Sequence, residues 1–216
     1  MNLVLIGHPF SSYTWKALIA LYANGTNFIQ RIFGEDPDVA AFVQAAHPAG
    51  KFPILLDGDA RIIEATAIIE YLAVHHPGPA PLIPSDPGEA VVVRMLDRVF
   101  DNYVMANMQR IVSAYLKNRS APDPAELAAG RDGLLRAYHW LESWLSANRL
   151  PPDISLITCA AAPSLFYADW VERIPADCPR VASLRAELLG LPAVVRCVDE
   201  ARPYRDFFPP GAPERD

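Results

Sequence analysis

The chain has 216 residues, 51% of them hydrophobic, which suffices for one large or two small domains with a real core and excludes a disordered chain. A net charge of −6 argues against nucleic acid as the main partner, since phosphate binding needs a basic face. No apolar run approaches the ~18 residues of a membrane span, no basic-then-apolar leader precedes the first strand, and Cys159, Cys178 and Cys197 form no CxxC pattern or cluster. A cytoplasmic protein with no membrane partner, disulfide framework or metal site is the expectation.

The chain opens with an apolar strand, Leu3 to Gly7, a hydroxyl-rich loop, and a helix from about Tyr13 to Ala23 that stops at Asn24-Gly25. The loop, Ser11-Ser12-Tyr13-Thr14-Trp15, delivers hydroxyls to a helix N-terminus, where backbone N–H groups and the dipole favour an anion. The same serines can equally serve as plain helix caps. Phe28 to Phe33 reads as a second strand, which makes an early βαβ unit. Pro37 to Ala46 reads as a short helix. Ile54-Leu55-Leu56 and Arg61-Ile62-Ile63, joined by Asp57-Gly58, read as a hairpin. Ala65 to His75 is a helix with Ile68, Ile69 and Leu72 on one face.

Five prolines between Pro77 and Pro87 mark a linker. Everything beyond it reads as helical. A long helix spans about Pro87 to Lys117, with Val92, Met95, Leu96, Val99 and Tyr103 at helical spacing. Leu134, Tyr138, Leu141 and Leu145 mark the next. Ser155 is the N-cap candidate of a helix holding Cys159 to Val171, with Pro163 inside it, and Thr158 stands where an acidic partner would complete the capping box. Pro179–Leu189 and Pro192–Ala201 read as short helices, and the tail from Arg202 is proline-rich and charged. The expected domains are 1–77, a linker at 78–87, an all-helical domain at 88–205 and a tail at 206–216. The fold class is α/β, βαβ-α-ββ-α, followed by an all-α domain.

Three stretches in this order carry a family resemblance: the Ser11–Trp15 loop, Gly50-Lys51-Phe52-Pro53-Ile54, and Glu64-Ala65-Thr66-Ala67-Ile68-Ile69-Glu70-Tyr71-Leu72. With a thioredoxin-like first domain, a proline-rich linker and a helical second domain, the chain resembles the soluble glutathione transferase superfamily over nearly its whole length. The loop is most similar to the Ser-Ser-Cys-Ser-Trp motif of zeta-class members, with Tyr13 in place of the cysteine. The rest is also compatible with tau-like and other bacterial serine-type members.

The resemblance implies glutathione as co-substrate, no metal, and Ser11 as the hydrogen-bond donor to its thiolate, with Ser12 and Tyr13 as neighbours that compete for the role. It implies that Lys51 meets the glycyl carboxylate and that Phe52, before a cis Pro53, offers its backbone to the tripeptide. It implies that Glu64 meets the γ-glutamyl ammonium. At Ala65 the family's usual hydroxyl is missing, so only the helix N–H remains for the α-carboxylate unless Thr66 or water substitutes. The absence of cysteine before Cys159 disfavours disulfide exchange.

A small apolar electrophile would bind between the domains, with Phe10, Tyr13, Tyr103, Met108 and Tyr115 as wall candidates and Met105, Trp170, Phe207 and Phe208 beside them. The family usually forms a homodimer. A zeta-like glutathione-dependent cis–trans isomerase and a non-catalytic binding or scaffold protein are the alternatives. The five histidines, His8, His47, His75, His76 and His139, show no metal-ligand spacing.

Overall fold

A computed structural model describes residues 3–216. The first domain runs β1 (Leu3–Gly7), α1 (Ser12–Ala23), β2 (Phe28–Ile32), α2 (Val39–Ala46), β3 (Ile54–Asp57), β4 (Ala60–Ile63) and α3 (Ala65–His75). Its four strands lie in the order β2-β1-β3-β4, with β1 parallel to β2 and antiparallel to β3, and β3 antiparallel to β4. Alternation along the strands divides the apolar residues between two faces. Leu3, Leu5 and Leu55 join Trp15, Leu18, Ile68 and Leu72 of α1 and α3, whereas Ile6 and Ile54 meet Val39 and Val43 of α2. The thioredoxin-like expectation is met, including the hairpin at Asp57-Gly58, where Gly58 has φ +59°.

The second domain contains α4 (Pro87–Val99), α5 (Ala106–Lys117), α6 (Pro124–Ala147), α7 (Leu156–Val171), α8 (Pro179–Leu189) and α9 (Pro192–Ala201), then a 3₁₀ turn at Arg202–Phe207. The long helix expected from Pro87 to Lys117 is continuous in direction but not in type. Phe100–Met105 is a π-helical segment between α4 and α5, and such segments re-phase the side chains that follow them. Along the stripe read from spacing, Leu96 and Val99 are buried, while Val92 and Met95, which precede the π segment, and Tyr103 within it are exposed. Helix α7 is buried along almost its whole length, as a helix apolar on every side must be. Thr158 supplies the reciprocal half of its capping box after all, since its Oγ1 accepts the Ser155 N–H at 3.2 Å.

The linker is held down at Ala80 and Leu82. Asn24 Oδ1 accepts the Ala80 N–H at 2.7 Å, and the carbonyl of buried Leu82 accepts the Leu156 N–H at 2.8 Å. The tail wraps the surface. Arg215 reaches Asp169 of α7 at 3.0 Å, and Arg202 and Arg205 both pair with Asp216. Helix α1 is the seam between domains: Trp15 lies 4.9 Å from the Phe166 ring of α7, and Tyr22 donates to Glu200 of α9 at 2.6 Å.

Candidate functional site

The loop that ends β1 is shaped by its own side chains. Trp15 Nε1 donates to the Pro9 carbonyl at 2.6 Å, and Thr14 Oγ1 accepts the His8 N–H at 3.3 Å. Thr14 lies so close to the strand end that a Cβ at Gly7 would sit 2.6 Å from its Oγ1. Only glycine admits that approach. Ser11 is the N-cap of α1, in extended conformation at φ −90° and ψ 124°, and its Oγ accepts the Thr14 N–H at 3.2 Å. An oxygen that accepts in this way keeps its own O–H proton for another partner.

Its two rivals sit differently. Ser12 is 4% exposed, whereas Ser11 is half-buried at the loop surface. Burial pushes the half-buried Tyr13 phenol up to about 12, and the Asp101 carboxylate adds to the effect, so Tyr13 stays a neutral donor.

Glu64 precedes α3 at φ +70°, the one positive-φ residue among the described non-glycine residues. A backbone held in this region marks a position that its surroundings over-determine. Its carboxylate is largely exposed and lies 3.4 Å from Nε2 of buried His47. His47 Nδ1 accepts the Ala49 N–H at 3.0 Å, so Nε2 carries the proton and faces Glu64. Sequence reading missed His47 because its histidine sits in a loop and its partner lies far along the chain.

Ala65 opens α3 and no side chain caps it. Thr66 does not replace the missing hydroxyl. Its Oγ1 donates to Asp97 at 2.9 Å and accepts from Lys16 at 3.1 Å and from Arg98 at 2.6 Å. The Phe52–Pro53 bond is cis. Phe52 stacks near Phe33 at 4.9 Å, and its backbone N–H and C=O have no hydrogen-bond partner among the described residues. Lys51 is exposed beside it.

Beneath the site lies a charge cluster that sequence reading also missed. Lys16 of α1 is 0% exposed, and its ammonium reaches Asp97 at 2.7 Å and both oxygens of Asp101 at 2.8 and 2.9 Å. Arg98 adds a second cation to both carboxylates. Burial raises Asp101 above the usual carboxylate range; Lys16 opposes this and Asp97 reinforces it. The only signal in the sequence was that Lys16 is the single charge in the apolar helix Ser12–Ala23.

The wall candidates separate. Phe10 is half-buried among Tyr167, Trp170 and Phe208, with centroids 5.4, 6.3 and 6.3 Å away, and its carbonyl accepts the Tyr167 hydroxyl at 3.0 Å. Tyr13 and Tyr115 are half-buried too. Met108 is only 2% exposed and, with Met105, belongs to the core; Tyr103 and Phe207 stand out on the surface. A cavity of about 860 Å³ opens elsewhere in the second domain, lined by Asn148, Arg149, Thr158, Arg180 and Glu187 among others, and it takes in none of the expected site residues. No helix among the described residues is long and apolar enough to cross a membrane.

Residues 5–80 match the family described as glutathione S-transferase, N-terminal domain. A probable maleylacetoacetate isomerase of Vibrio cholerae is 26% identical, over 94% of this chain and 98% of that protein. A poplar glutathione transferase superposes with TM-score 0.80 at 14% identity, covering 94% of this chain and 99% of the other. A glutathione S-transferase of Methylobacterium radiotolerans, solved with glutathione sulfonate, superposes with TM-score 0.74 at 22% identity, covering 92% and 95%.

The buried cluster yields a stability prediction. Lys16→Met removes the ammonium and leaves the buried Asp97 and Asp101 with the half-exposed Arg98 as their one cation, which should cost about 3–5 kcal/mol. Urea unfolding measures this, and a loss below about 1 kcal/mol, as for an exposed pair, would contradict the reading.

Proposed function

We propose a glutathione transferase in which Ser11 donates a hydrogen bond to the glutathione thiolate; the match of residues 5–80 to the glutathione S-transferase N-terminal domain, and a fold shared over 92% of the chain with a solved glutathione S-transferase, support this reading. The observation that carries this reading is the free proton of Ser11. The Thr14 N–H already occupies its oxygen at 3.2 Å, so the hydroxyl is oriented and its hydrogen is uncommitted. A free thiol ionises near ~8.5, and a helix N-terminus with a directed donor favours the thiolate. The ionised sulfur then attacks or adds to a small apolar electrophile. Ser11 stabilises charge and forms no covalent bond.

The rest of the tripeptide follows the resemblance. Glu64, steadied by His47, takes the γ-glutamyl ammonium. The first N–H groups of α3, at Ala65 and Thr66, take the α-carboxylate. Phe52 offers an unpaired N–H and C=O to the ligand backbone, Pro53 shapes that turn, and Lys51 meets the glycyl carboxylate. The electrophile lies against Phe10, Tyr13 and Tyr115. Disulfide exchange is disfavoured on a second ground, because burial pushes the Cys159 thiol up to about 12. A homodimer is part of the reading, supported by the exposed apolar face of Val91, Val92 and Met95 on α4. The protein is taken to work in the cytoplasm.

A second reading is glutathione-dependent cis–trans isomerisation, in which the thiolate adds to a double bond, the adduct rotates and the thiolate is expelled. The Vibrio cholerae relative and the zeta-like loop favour it. Glutathione-dependent turnover of maleylacetoacetate separates it from conjugation of a model electrophile.

Ser11→Ala should lower kcat for conjugation at neutral pH by about 10²-fold, the scale of losing one donor to a developing anion. The deficit should narrow as pH rises past ~8.5, where free thiol ionises unaided. An unchanged rate across pH would remove Ser11 from the mechanism. Ala65→Ser should restore a hydroxyl at the start of α3 and tighten glutathione binding by calorimetry about tenfold, the low end for a hydrogen bond to a charged group. No gain would mean that the α-carboxylate lies elsewhere.

A further inference from the structure

Away from the cleft, three metal-ligating atoms meet where α6 passes the start of α8. His139 on α6 and Asp177 and Cys178 at the head of α8 bring a ring nitrogen, a carboxylate oxygen and Sγ within 4.8 Å of one another. His139 Nε2 lies 3.2 Å from Asp177 Oδ2, and Cys178 Sγ lies 3.9 Å from Asp177 Oδ1. Zinc bonds of about 2.0–2.3 Å at tetrahedral angles place neighbouring ligand atoms roughly 3.3–3.8 Å apart. The two carboxylate oxygens of Asp177 thus face the imidazole and the thiol separately, and all three ligand atoms lie within 4.8 Å, so an ion needs only a small inward movement of these side chains.

The histidine is oriented for the task. Its Nδ1 lies 2.8 Å from the Leu135 carbonyl, and a carbonyl only accepts, so Nδ1 holds a proton. In the neutral ring Nε2 then presents a lone pair towards Asp177. Two acceptors facing each other at 3.2 Å require a cation between them, either a proton or a metal. An Nδ1–H bound to a backbone carbonyl is the usual outer support of a ligating histidine. The nearby Glu142 is already occupied, accepting from the Arg180 side chain and from the N–H groups of Arg180 and Val181.

We propose that His139, Asp177 and Cys178 form a site for zinc or a similar borderline divalent cation, with water completing the fourth position. Nitrogen, oxygen and sulfur together suit such an ion better than calcium or magnesium, which take oxygen alone. His139 and Asp177 are 53% and 72% exposed, so the ion enters from solvent. Binding exchanges the Cys178 S–H proton for a metal–sulfur bond and releases that proton to solvent, with no change of oxidation state. The bound ion would tie α6 to the connection between α7 and α8. The sequence hid this site because 38 residues separate His139 from Asp177.

Cobalt(II) titration of the reduced full-length protein, without glutathione, tests the proposal. The expected result is one equivalent bound, a thiolate-to-cobalt charge-transfer band in the near ultraviolet, and its displacement by zinc. Cys178→Ser should abolish the band. His139→Gln, at an exposed position that leaves the core untouched, should weaken cobalt binding at least about tenfold. Absence of the band in the wild type, its survival in Cys178→Ser, or unchanged affinity in His139→Gln would each overturn the proposal, leaving a histidine–aspartate salt bridge only.

Discussion

Lys16 has no contact with solvent, and its ammonium is committed to Thr66 of α3 and to Asp97 and Asp101 of the second domain. An isolated charge in such a place would be expelled or neutralised. Here two cations, Lys16 and Arg98, meet two carboxylates, and every proton of the ammonium has an acceptor. Such a cluster adds little net stability over an apolar contact, but it strongly disfavours any arrangement that separates its members. It therefore fixes how α1 and α3 stand against α4. Those are the two helices whose N-termini form the candidate site.

The same constraint reaches the start of α3, the far end of the candidate site. Thr66 is the neighbour best placed to replace the hydroxyl absent at Ala65. Its single proton goes to Asp97 and its lone pairs receive Lys16 and Arg98, so it is fully used by the clamp between domains. Ala65 therefore leaves the start of α3 with backbone donors alone. Beside it, the Glu64 backbone is held at φ +70°, and its exposed carboxylate lies 3.4 Å from the buried His47. At the other end Ser11 caps α1 through its oxygen and keeps its proton. The capping role and the thiolate role are thus compatible, because they use different parts of one hydroxyl.

Local chemistry was readable and distant pairing was not. Strand, loop and helix around Ser11 followed from an apolar run, hydroxyls and a second apolar run, and Asp57-Gly58 gave the hairpin that β3 and β4 form. Both are decided within a few residues. Lys16 was opaque because its partners lie 50, 81 and 85 residues away. Glu64 gave no warning of its positive φ, since only glycine announces one. The π segment at Phe100–Met105 has no sequence signature, and it re-phases the side chains that follow it.

The central claim is that the N-terminus of α1 and the Ser11 hydroxyl ionise bound glutathione. Its most direct test is the ultraviolet thiolate absorbance of glutathione bound to the wild-type protein, followed against pH. The account predicts a midpoint at least about one unit below the ~8.5 of a free thiol. A midpoint at the free-thiol value, with glutathione demonstrably bound, would contradict it.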